Sequence, residues 1–377
     1  MAAHGGTAAP EALEPESVPS EVVRLGRPRA SVSSTEAIKA SVFAVGRMSG
    51  LFSVVRNSAW RSSRLMILCY HGISQHDEHE ALRDLFVPAG LFRQRMLALR
   101  KGGYNVLRLG DAVERVQAGT LPRRSVVLTF DDGFVDFSRI AYPILAEFGF
   151  PATVYVSTEY VENQLPAFPA IVTYLLWKAG LRSPATTGAI DGIALRVESA
   201  DAQADTAQRL IAKLETDGIS DASSRDAFAA RVANELGIDY GSIRERRLFQ
   251  LMTHEEIRAL DRKLVDVQLH THRHMQPADE TLFAREIADN RRSLSDAGMD
   301  PAQLDHFCYP NGEVRSELPA WLEHDGVRSA TTCVPGIVDS SCSPLLMPRF
   351  VDTQFVSPMK FEAWLCGAAA LLPSRSR

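Results

Sequence analysis

The sequence is poor in cysteine and has no long hydrophobic run. Its five cysteines lack CxxC spacing and stand at Cys69, Cys308, Cys333, Cys342 and Cys366. An odd number of scattered cysteines in a chain of 377 residues does not predict a disulfide framework, so we expect free thiols. No window reaches the roughly 18 uninterrupted apolar residues of a membrane span. Residues 1–21 also lack the basic region and apolar core of a secretory signal, which predicts a cytoplasmic protein.

The sequence also lacks an excess of positive charge. It has 41 Lys and Arg against 46 Asp and Glu, a formal net charge of -5 at pH 7. Because proteins usually bind phosphates through concentrated basic surfaces, this balance predicts no nucleic-acid partner. We interpret the short basic run at residues 244–247 as a solvated helix face. With 45% hydrophobic residues, the chain can bury the core of one large α/β domain or two smaller ones.

The two ends of the chain differ in composition from its centre. Residues 1–34 are rich in Ala, Pro, Glu, Ser and Gly, which predicts a disordered tail. Residues 35–62 read as an amphipathic helical lead-in, with Val42, Val45, Leu51 and Val54 among basic residues. We expect this lead-in to pack on the domain; peripheral membrane association is the alternative. The main domain is assigned to residues 63–357, and a C-terminal helix and tail to 358–377.

Strand and helix patterns alternate along the main domain. Runs typical of buried strands occur at residues 65–70, 126–130 and 152–157. Residues 264–269 alternate, with Val265, Val267 and Leu269 on one face, and residues 306–309 read as a short strand. The alternation lapses at about 161–250, a predicted helical insertion. We expect the insertion to form a wall of the substrate site; a partner site is the alternative. Strands alternating with helices predict a mainly parallel sheet, closed or nearly closed as a barrel. In such barrels the side chains that carry chemistry lie at the carboxyl ends of the strands.

Polar residues directly follow four of these predicted strands. They are His71 after the first, Asp131 and Asp132 after the second, residues 270–274 after the fourth, and residues 309–312 after HFC of the fifth. Because the carboxyl ends of parallel strands meet at one edge of a sheet, we expect these residues to converge.

The segment HTHRH at residues 270–274 holds three of the ten histidines of the chain. Neutral imidazole is the commonest metal ligand in proteins. His270 and His274 have the spacing of an HExxH site, but Thr271 replaces the glutamate, so the helical zincin interpretation fails. Two histidines and one carboxylate, Asp132, would make a three-ligand site with open positions, as catalytic metals have. The alternative is an Asp pair that caps a helix, with the histidines on a solvated loop.

The remaining polar residues have predicted roles in hydrolysis. A bound metal would neutralise Asp132, so Asp131 could stay ionised and act as the general base. His71 is the predicted general acid, although a structural core histidine is the alternative. Pro310 and Gly312 indicate a tight turn, and Tyr309, Pro310, Asn311 and Gly312 form the predicted oxyanion or substrate segment, with an ordinary turn as the alternative.

Together these segments resemble the polysaccharide deacetylase family, the NodB-homology domain. TFDDG at 129–133 matches the first family motif, and His270, Thr271 and His274 match its H-[ST]-x-x-H second motif. FCYPNG at 307–312 resembles the third motif, and LCYHGI at 68–73 resembles a segment found in one branch of the family. The resemblance implies a distorted (β/α) barrel and metal-dependent removal of N-acetyl groups from N-acetylhexosamine units of an oligo- or polysaccharide.

The resemblance also implies roles for individual residues. Asp131 would be the base, and Asp132, His270 and His274 would hold a divalent metal, usually zinc. FCYPNG lacks the arginine that often orients the base, so Arg349 in MPRF is our substitute, grouped with the oxyanion and substrate candidates. The usual late histidine acid is also missing, which again favours His71.

The sequence leaves several alternatives to an N-deacetylase open. The same site could remove O-acetyl groups from a glycan or deacylate another small amide. A glycosidase using Asp131 and Asp132 is disfavoured because the side chains of neighbouring residues diverge. A catalytically silent carbohydrate-binding relative is the fourth alternative.

Overall fold

The structure is a computed structural model, and it describes residues 34–183, 188–219 and 221–372. The predicted disordered tail, residues 1–34, lies outside these ranges except for Ser34. The strands are Met66–Tyr70 (β1), Gly72–Ser74 (β2), Phe86–Pro88 (β3), Asn105–Leu107 (β4), Ser125–Phe130 (β5), Ala152–Val156 (β6), Ala189–Ile190 (β7), Ile193–Ala194 (β8), Val265–Leu269 (β9), His306–Cys308 (β10), Ser329–Thr331 (β11) and Phe350–Val351 (β12).

The helices surround this set of strands. They are Ser34–Met48 (α1), Leu51–Asn57 (α2), Ala59–Ser62 (α3), Glu78–Ala81 (α4), Ala89–Lys101 (α5), Leu109–Gln117 (α6), Tyr142–Phe148 (α7), Thr158–Asn163 (α8), Phe168–Arg182 (α9), Ala200–Thr216 (α10), Ala222–Glu235 (α11), Tyr240–Glu245 (α12), His254–Ala259 (α13), Glu280–Asp296 (α14), Leu318–His324 (α15) and Pro358–Cys366 (α16). A capping box of Thr253 and Glu256 begins α13.

The main sheet is parallel and curls toward closure. Its strand order is β11-β10-β9-β6-β5-β1-β12, and β4 pairs with the first half of β5. The two edges approach each other at the segment before β12. There Met347 forms a parallel bridge with Thr331, while Phe350 pairs with Leu68 of β1. The distorted (β/α) barrel predicted from the sequence is therefore confirmed.

Continuous apolar sequence made the central strands predictable. β1, β5 and β6 are buried along their whole length, as expected for strands that are covered on both faces. Three strands of the main sheet, β4, β11 and β12, were not predicted from the sequence, and they have only two or three residues each. Strands this short carry too few residues for a periodicity to be visible.

The long connection between β6 and β9 contains the predicted helical insertion. These two strands are direct neighbours in the sheet, with Val156 paired to Leu269. The connection contains α8 to α13 and a two-stranded hairpin of β7 and β8. Within it, α9 buries Tyr174, Leu175 and Leu176 in the main core. The division of the chain into domains stays a prediction.

The lead-in segment forms α1 to α3 and packs against the C-terminal helix. Phe43 and Phe52 share a small hydrophobic cluster with residues of α16. The opposite face leaves apolar side chains exposed, namely Val42, Val45, Met48, Leu51 and Val54. Among the described residues, none of the helices combines the length and apolarity needed to cross a bilayer. Peripheral membrane contact stays a prediction.

A single buried arginine connects the lead-in to the barrel. The Arg61 side chain is fully buried and donates hydrogen bonds to the carbonyl oxygens of Leu365, Arg64 and Ser125, at 3.0, 2.7 and 3.2 Å. These acceptors lie in α16, in the chain before β1 and at the start of β5. Arg61 therefore joins three separate segments at the amino-terminal end of the barrel strands.

We predict that Arg61→Ala lowers the free energy of unfolding by about 3 kcal/mol, because buried carbonyl oxygens lose a charged donor. Urea denaturation of the full-length protein measures this change. Arg64→Ala is the matched control. Its ion pair with Asp339, at 3.0 Å, is partly exposed, so the change should stay within about 1 kcal/mol. Equal losses in the two variants would contradict the prediction.

Candidate functional site

Four strand ends deliver the predicted polar residues to one cavity. Tyr70 pairs with Phe130, so His71 and Asp131 leave β1 and β5 at the same level. The residues of the cavity of about 310 Å³ include His71, Asp131, Asp132, His270, His274, Asn311 and Gly312. The convergence expected from the parallel sheet is thus present.

Asp132, His270 and His274 form a compact group of metal-ligand atoms. The Nε2 atoms of both histidines lie 3.3 Å from Asp132 Oδ1. One ligand atom from each residue lies within 4.8 Å of the other two. Tetrahedral zinc with bonds of about 2.0–2.1 Å separates its ligand atoms by about 3.3 Å. The spacing therefore fits one small divalent cation.

The orientation of His270 also suits a metal ligand. Its Nδ1 lies 2.8 Å from the carbonyl oxygen of Cys308. Since a carbonyl only accepts, Nδ1 carries a proton, and in the neutral ring this leaves the Nε2 lone pair free to bind a cation beside Asp132. The backbone N–H of His270 donates to Asn290 Oδ1 at 2.9 Å, and Asn290 in turn donates to the carbonyl oxygen of Val156. Asn290, on α14, was not identified from the sequence.

Unusual backbone conformations position these ligands. Asp132, Thr271 and His274 have φ values of 70°, 61° and 56°, in the left-handed region that non-glycine residues seldom adopt. Strain of this kind persists where the surrounding structure holds it, and it clusters at functional sites. The next residue, Gly133, has φ 87°, and a Cβ there would lie 3.0 Å from Val156. This explains the glycine that ends TFDDG.

Asp131 has a different partner from Asp132. Its two carboxylate oxygens accept a bidentate pair of hydrogen bonds from Arg349, each 2.7 Å long. Arg349 is fully buried and Asp131 is 3% exposed. Burial alone would raise the pKa of Asp131, but the guanidinium outweighs it and holds that pKa below its ordinary value. Asp131 is therefore ionised at neutral pH.

This position corrects part of the assignment of Arg349. Its Nε donates to the carbonyl oxygen of Thr332 at 2.9 Å, and the side chain lies behind Asp131, away from the cavity lining. It is therefore a positioning residue for Asp131 and not an oxyanion or substrate contact. Its contact with the carboxylate is the one expected of the arginine that FCYPNG lacks.

His71 lies on the cavity side of Asp131. Its Nε2 is 3.7 Å from Asp131 Oδ2, and its side chain is 18% exposed. Two thiols approach the same oxygen, because Cys69 Sγ and Cys308 Sγ lie 3.5 and 3.4 Å from it. His71 is therefore accessible from the cavity and close to the proposed base.

Only half of the predicted oxyanion segment reaches the cavity. Tyr309 is fully buried, with its hydroxyl donating to the carbonyl oxygen of Leu345 at 2.9 Å and its N–H donating to that of Thr331 at 3.2 Å. Pro310 is buried and carries no N–H. Tyr309 and Pro310 are therefore not placed to contact substrate, which corrects their assignment. Their neighbours Asn311 and Gly312 do line the cavity.

His272, in the loop between His270 and His274, is buried and joins this loop to α8. It is 6% exposed, and its Nδ1 lies 2.9 Å from Thr158 Oγ1. Its carbonyl oxygen accepts a hydrogen bond from Glu159 N at 2.8 Å. The histidine loop is thus attached to the start of α8.

Much of the remaining cavity lining is apolar. The side chains that form it are Leu82, Leu85, Phe134, Tyr160, Ala167, Pro169, Ala170 and Leu251. Four of them lie between residues 160 and 170, in the connection between β6 and β9. Ala167, Pro169 and Ala170 of the predicted insertion therefore line the cavity, and its role as a substrate wall stays a prediction.

Comparisons with known proteins agree with this geometry. The profile of the family "Polysaccharide deacetylase" matches residues 118–192, a segment that contains Asp131 and Asp132. The chain is 31% identical over 101 residues to the poly-beta-1,6-N-acetyl-D-glucosamine N-deacetylase of Escherichia coli K12. That match covers 26% of this chain and 15% of the relative. This chain is also 34% identical over 104 residues to YxkH of Bacillus subtilis, and that match covers 26% of this chain and 35% of YxkH.

The fold has a solved counterpart. The Streptococcus pyogenes deacetylase PplD, solved in complex with acetate, superposes with a TM-score of 0.52 at 18% identity. The superposition covers 82% of this chain and 99% of PplD. At this identity the likeness shows the fold alone, whereas the family match covers the carboxylate motif itself. The resemblance to the polysaccharide deacetylase family expected from the sequence is therefore confirmed for residues 118–192.

Proposed function

We propose that this protein is a metal-dependent hydrolase that removes N-acetyl groups from N-acetylhexosamine units of an oligo- or polysaccharide. The observation that carries the proposal is the placement of two differently partnered carboxylates at one cavity. Asp132 faces His270 and His274, while Asp131 is held by Arg349. The name of the Escherichia coli relative supports an N-acetylated glucosamine polymer as the substrate class.

The residues present fit a divalent cation, most simply zinc. Asp132 Oδ1 and the Nε2 atoms of His270 and His274 would hold it, since two imidazoles and a carboxylate suit a borderline ion. A metal bound there would lower the pKa of water and polarise the acetyl carbonyl oxygen. The same cation would neutralise the charge of Asp132, whose Oδ1 lies 3.3 Å from the Nε2 atom of each histidine.

The proton transfers fall to the side chains beside this group. Asp131, kept ionised by Arg349, accepts the proton of the attacking water. His71, which is accessible from the cavity, donates a proton to the departing amine nitrogen. The turn at Asn311 and Gly312 supplies polar backbone near the acetyl oxygen.

The alternatives differ in how well they fit the geometry. A glycosidase would need both carboxylates free to flank one bond, but Asp131 is bonded by Arg349 and Asp132 faces two histidines. The missing arginine of FCYPNG is one reason to consider a silent carbohydrate-binding relative. Arg349 weakens that reason, because it makes the contact with Asp131 expected of the missing arginine. An O-acetyl esterase would use the same residues, so comparing N-acetylated with O-acetylated glycans decides between these two functions.

We predict that Asp132→Ala abolishes metal binding, whereas Asp131→Asn keeps the metal and loses turnover by about 10²–10⁴-fold. Metal content by elemental analysis, measured together with acetate release from a glucosamine oligomer, checks both variants. Chelation of the wild type should abolish activity, and added zinc should restore it. A fully active Asp131→Asn variant would show that the proposed base is wrong.

We predict that His71→Gln lowers the turnover of an N-acetylated sugar by about 10²–10⁴-fold, because the amine cannot leave without a proton. An aryl acetate has a leaving group that needs no proton, so its turnover should fall far less. Steady-state kinetics on both substrates in the same preparation give this comparison. Equal losses on the two substrates would argue for a structural role of His71.

We predict that Arg349→Met lowers the free energy of unfolding by about 3–5 kcal/mol at pH 7, because it leaves Asp131 as a buried, unpaired charge. The pKa of Asp131 is lower in the folded protein than in the unfolded chain, where it is about 3.9. The ion pair with Arg349 therefore stabilises the fold above a pH of about 3.9, and this stabilisation is lost as the pH falls through the folded-state pKa of Asp131. In the Asp131→Asn background the same substitution should cost about 1–3 kcal/mol less. Additive effects in this double-mutant cycle would contradict a direct pairing.

A further inference from the structure

Three cysteines surround the buried pair of Asp131 and Arg349. Cys69 Sγ and Cys308 Sγ approach Asp131 Oδ2 at 3.5 and 3.4 Å. Arg349 Nη2 lies 3.1 Å from Cys308 Sγ and 3.5 Å from Cys333 Sγ. Three of the five cysteines of the chain thus contact one catalytic ion pair, and the proposed hydrolysis uses none of them.

Cys333 differs from the other two because it reaches the cavity. Cys69 and Cys308 are fully buried on β1 and β10, whereas Cys333 is half-buried on the loop after β11 and lines the cavity beside His71. A hydrogen bond from Cys69 and the nearby guanidinium of Arg349 lower the pKa of Cys333 to about 6, although burial opposes them. A partly accessible thiolate beside a cation is the usual setting of a reactive cysteine.

A second thiol lies within reach of Cys333. Cys69 Sγ, Cys333 Sγ and a carboxylate oxygen of Asp131 all lie within 4.8 Å of one another. A disulfide needs a sulfur separation of about 2.05 Å, so one sulfur must move by less than about 3 Å. Cys333 lies in irregular chain, whereas Cys69 is fixed in β1 between β5 and β12. The movement is therefore expected from Cys333.

We propose that Cys333 is a peroxide-sensitive modification site whose oxidised form is captured by Cys69 as a disulfide. In the first step the Cys333 thiolate attacks one oxygen of a hydroperoxide. The O–O bond breaks, the sulfur becomes a sulfenic acid, and hydroxide, or an alkoxide, leaves and takes up a proton. In the second step the Cys69 sulfur attacks the sulfenic sulfur, the S–O bond breaks, and water leaves with the thiol proton of Cys69.

The disulfide would act on the base through its immediate contacts. It removes the Cys69 thiol from Asp131 Oδ2 and the Cys333 thiolate from Arg349 Nη2. It also moves Cys333 relative to Gly312, where even an added Cβ would lie 2.5 Å from the Cys333 Cβ. The expected result is a reversible loss of hydrolysis. This consequence rests on the proposed function, whereas formation of the disulfide does not.

The test is treatment of the reduced, full-length, metal-loaded protein with hydrogen peroxide, followed by peptide mapping under non-reducing conditions. We expect a peptide pair joined through Cys69 and Cys333, and acetate release lowered at least about tenfold and restored by dithiothreitol. A disulfide that joins Cys308 to Cys333 instead, or a reduced Cys333 after other cysteines have oxidised, would overturn the proposal. A Cys69–Cys333 disulfide that leaves acetate release unchanged would overturn its regulatory part.

The variants separate this site from general oxidation. Cys333→Ser should remove both the cross-link and the dithiothreitol-reversible fraction of the loss, each variant being compared with its own untreated sample. Cys342→Ser is the matched control, since this half-buried thiol contacts Asp339 and not the site. It should respond like the wild type. Reversible inactivation of Cys333→Ser at the wild-type rate would refute the proposal, and the cross-link can be read even if the protein deacetylates nothing.

Discussion

The buried ion pair between Asp131 and Arg349 is the constraint on which the site depends. Neither charge is stable alone in the barrel, because an isolated buried ion costs several kcal/mol even after the protein relaxes. Together they form two parallel hydrogen bonds of 2.7 Å, which set the position of the carboxylate. Arg349 reaches Asp131 only because the chain from Met347 to Val351 crosses from β11 to β1. The segment that closes the barrel therefore also brings Arg349 to Asp131 and positions the proposed base.

The same pair explains how two adjacent carboxylates can be tolerated in a buried site. The left-handed backbone at Asp132 turns its side chain away from Asp131 and toward His270 and His274. Each negative charge thus has its own partner, a guanidinium on one side and a group of metal ligands on the other. The separation lets one carboxylate bind while its neighbour remains ionised, which is the division of roles that the proposed hydrolysis requires.

The side chains around this ion pair and along the cavity differ in chemical type. Sulfur atoms of Cys69, Cys308 and Cys333 pack around the guanidinium and carboxylate, where a barrel core more often has aliphatic side chains. The connection between β6 and β9 adds apolar side chains to the cavity lining. The cavity therefore combines charged and apolar side chains, a mixture that would suit the mixed surface of the proposed substrate.

The sequence by itself determined the main strands and predicted the candidate metal ligands. Continuous apolar runs predict strands buried on both faces, and parallel strands must bring the residues after them to one edge, so His71, Asp132 and His270 converge by topology alone. It did not determine the role of Arg349, the side-chain directions of Tyr309 and Pro310, or the cysteine cluster. Arg349 lies 218 residues from Asp131, and short strands such as β11 and β12 leave no periodicity to read. Only the tertiary structure decided these contacts, because they depend on which distant segments meet when the sheet closes.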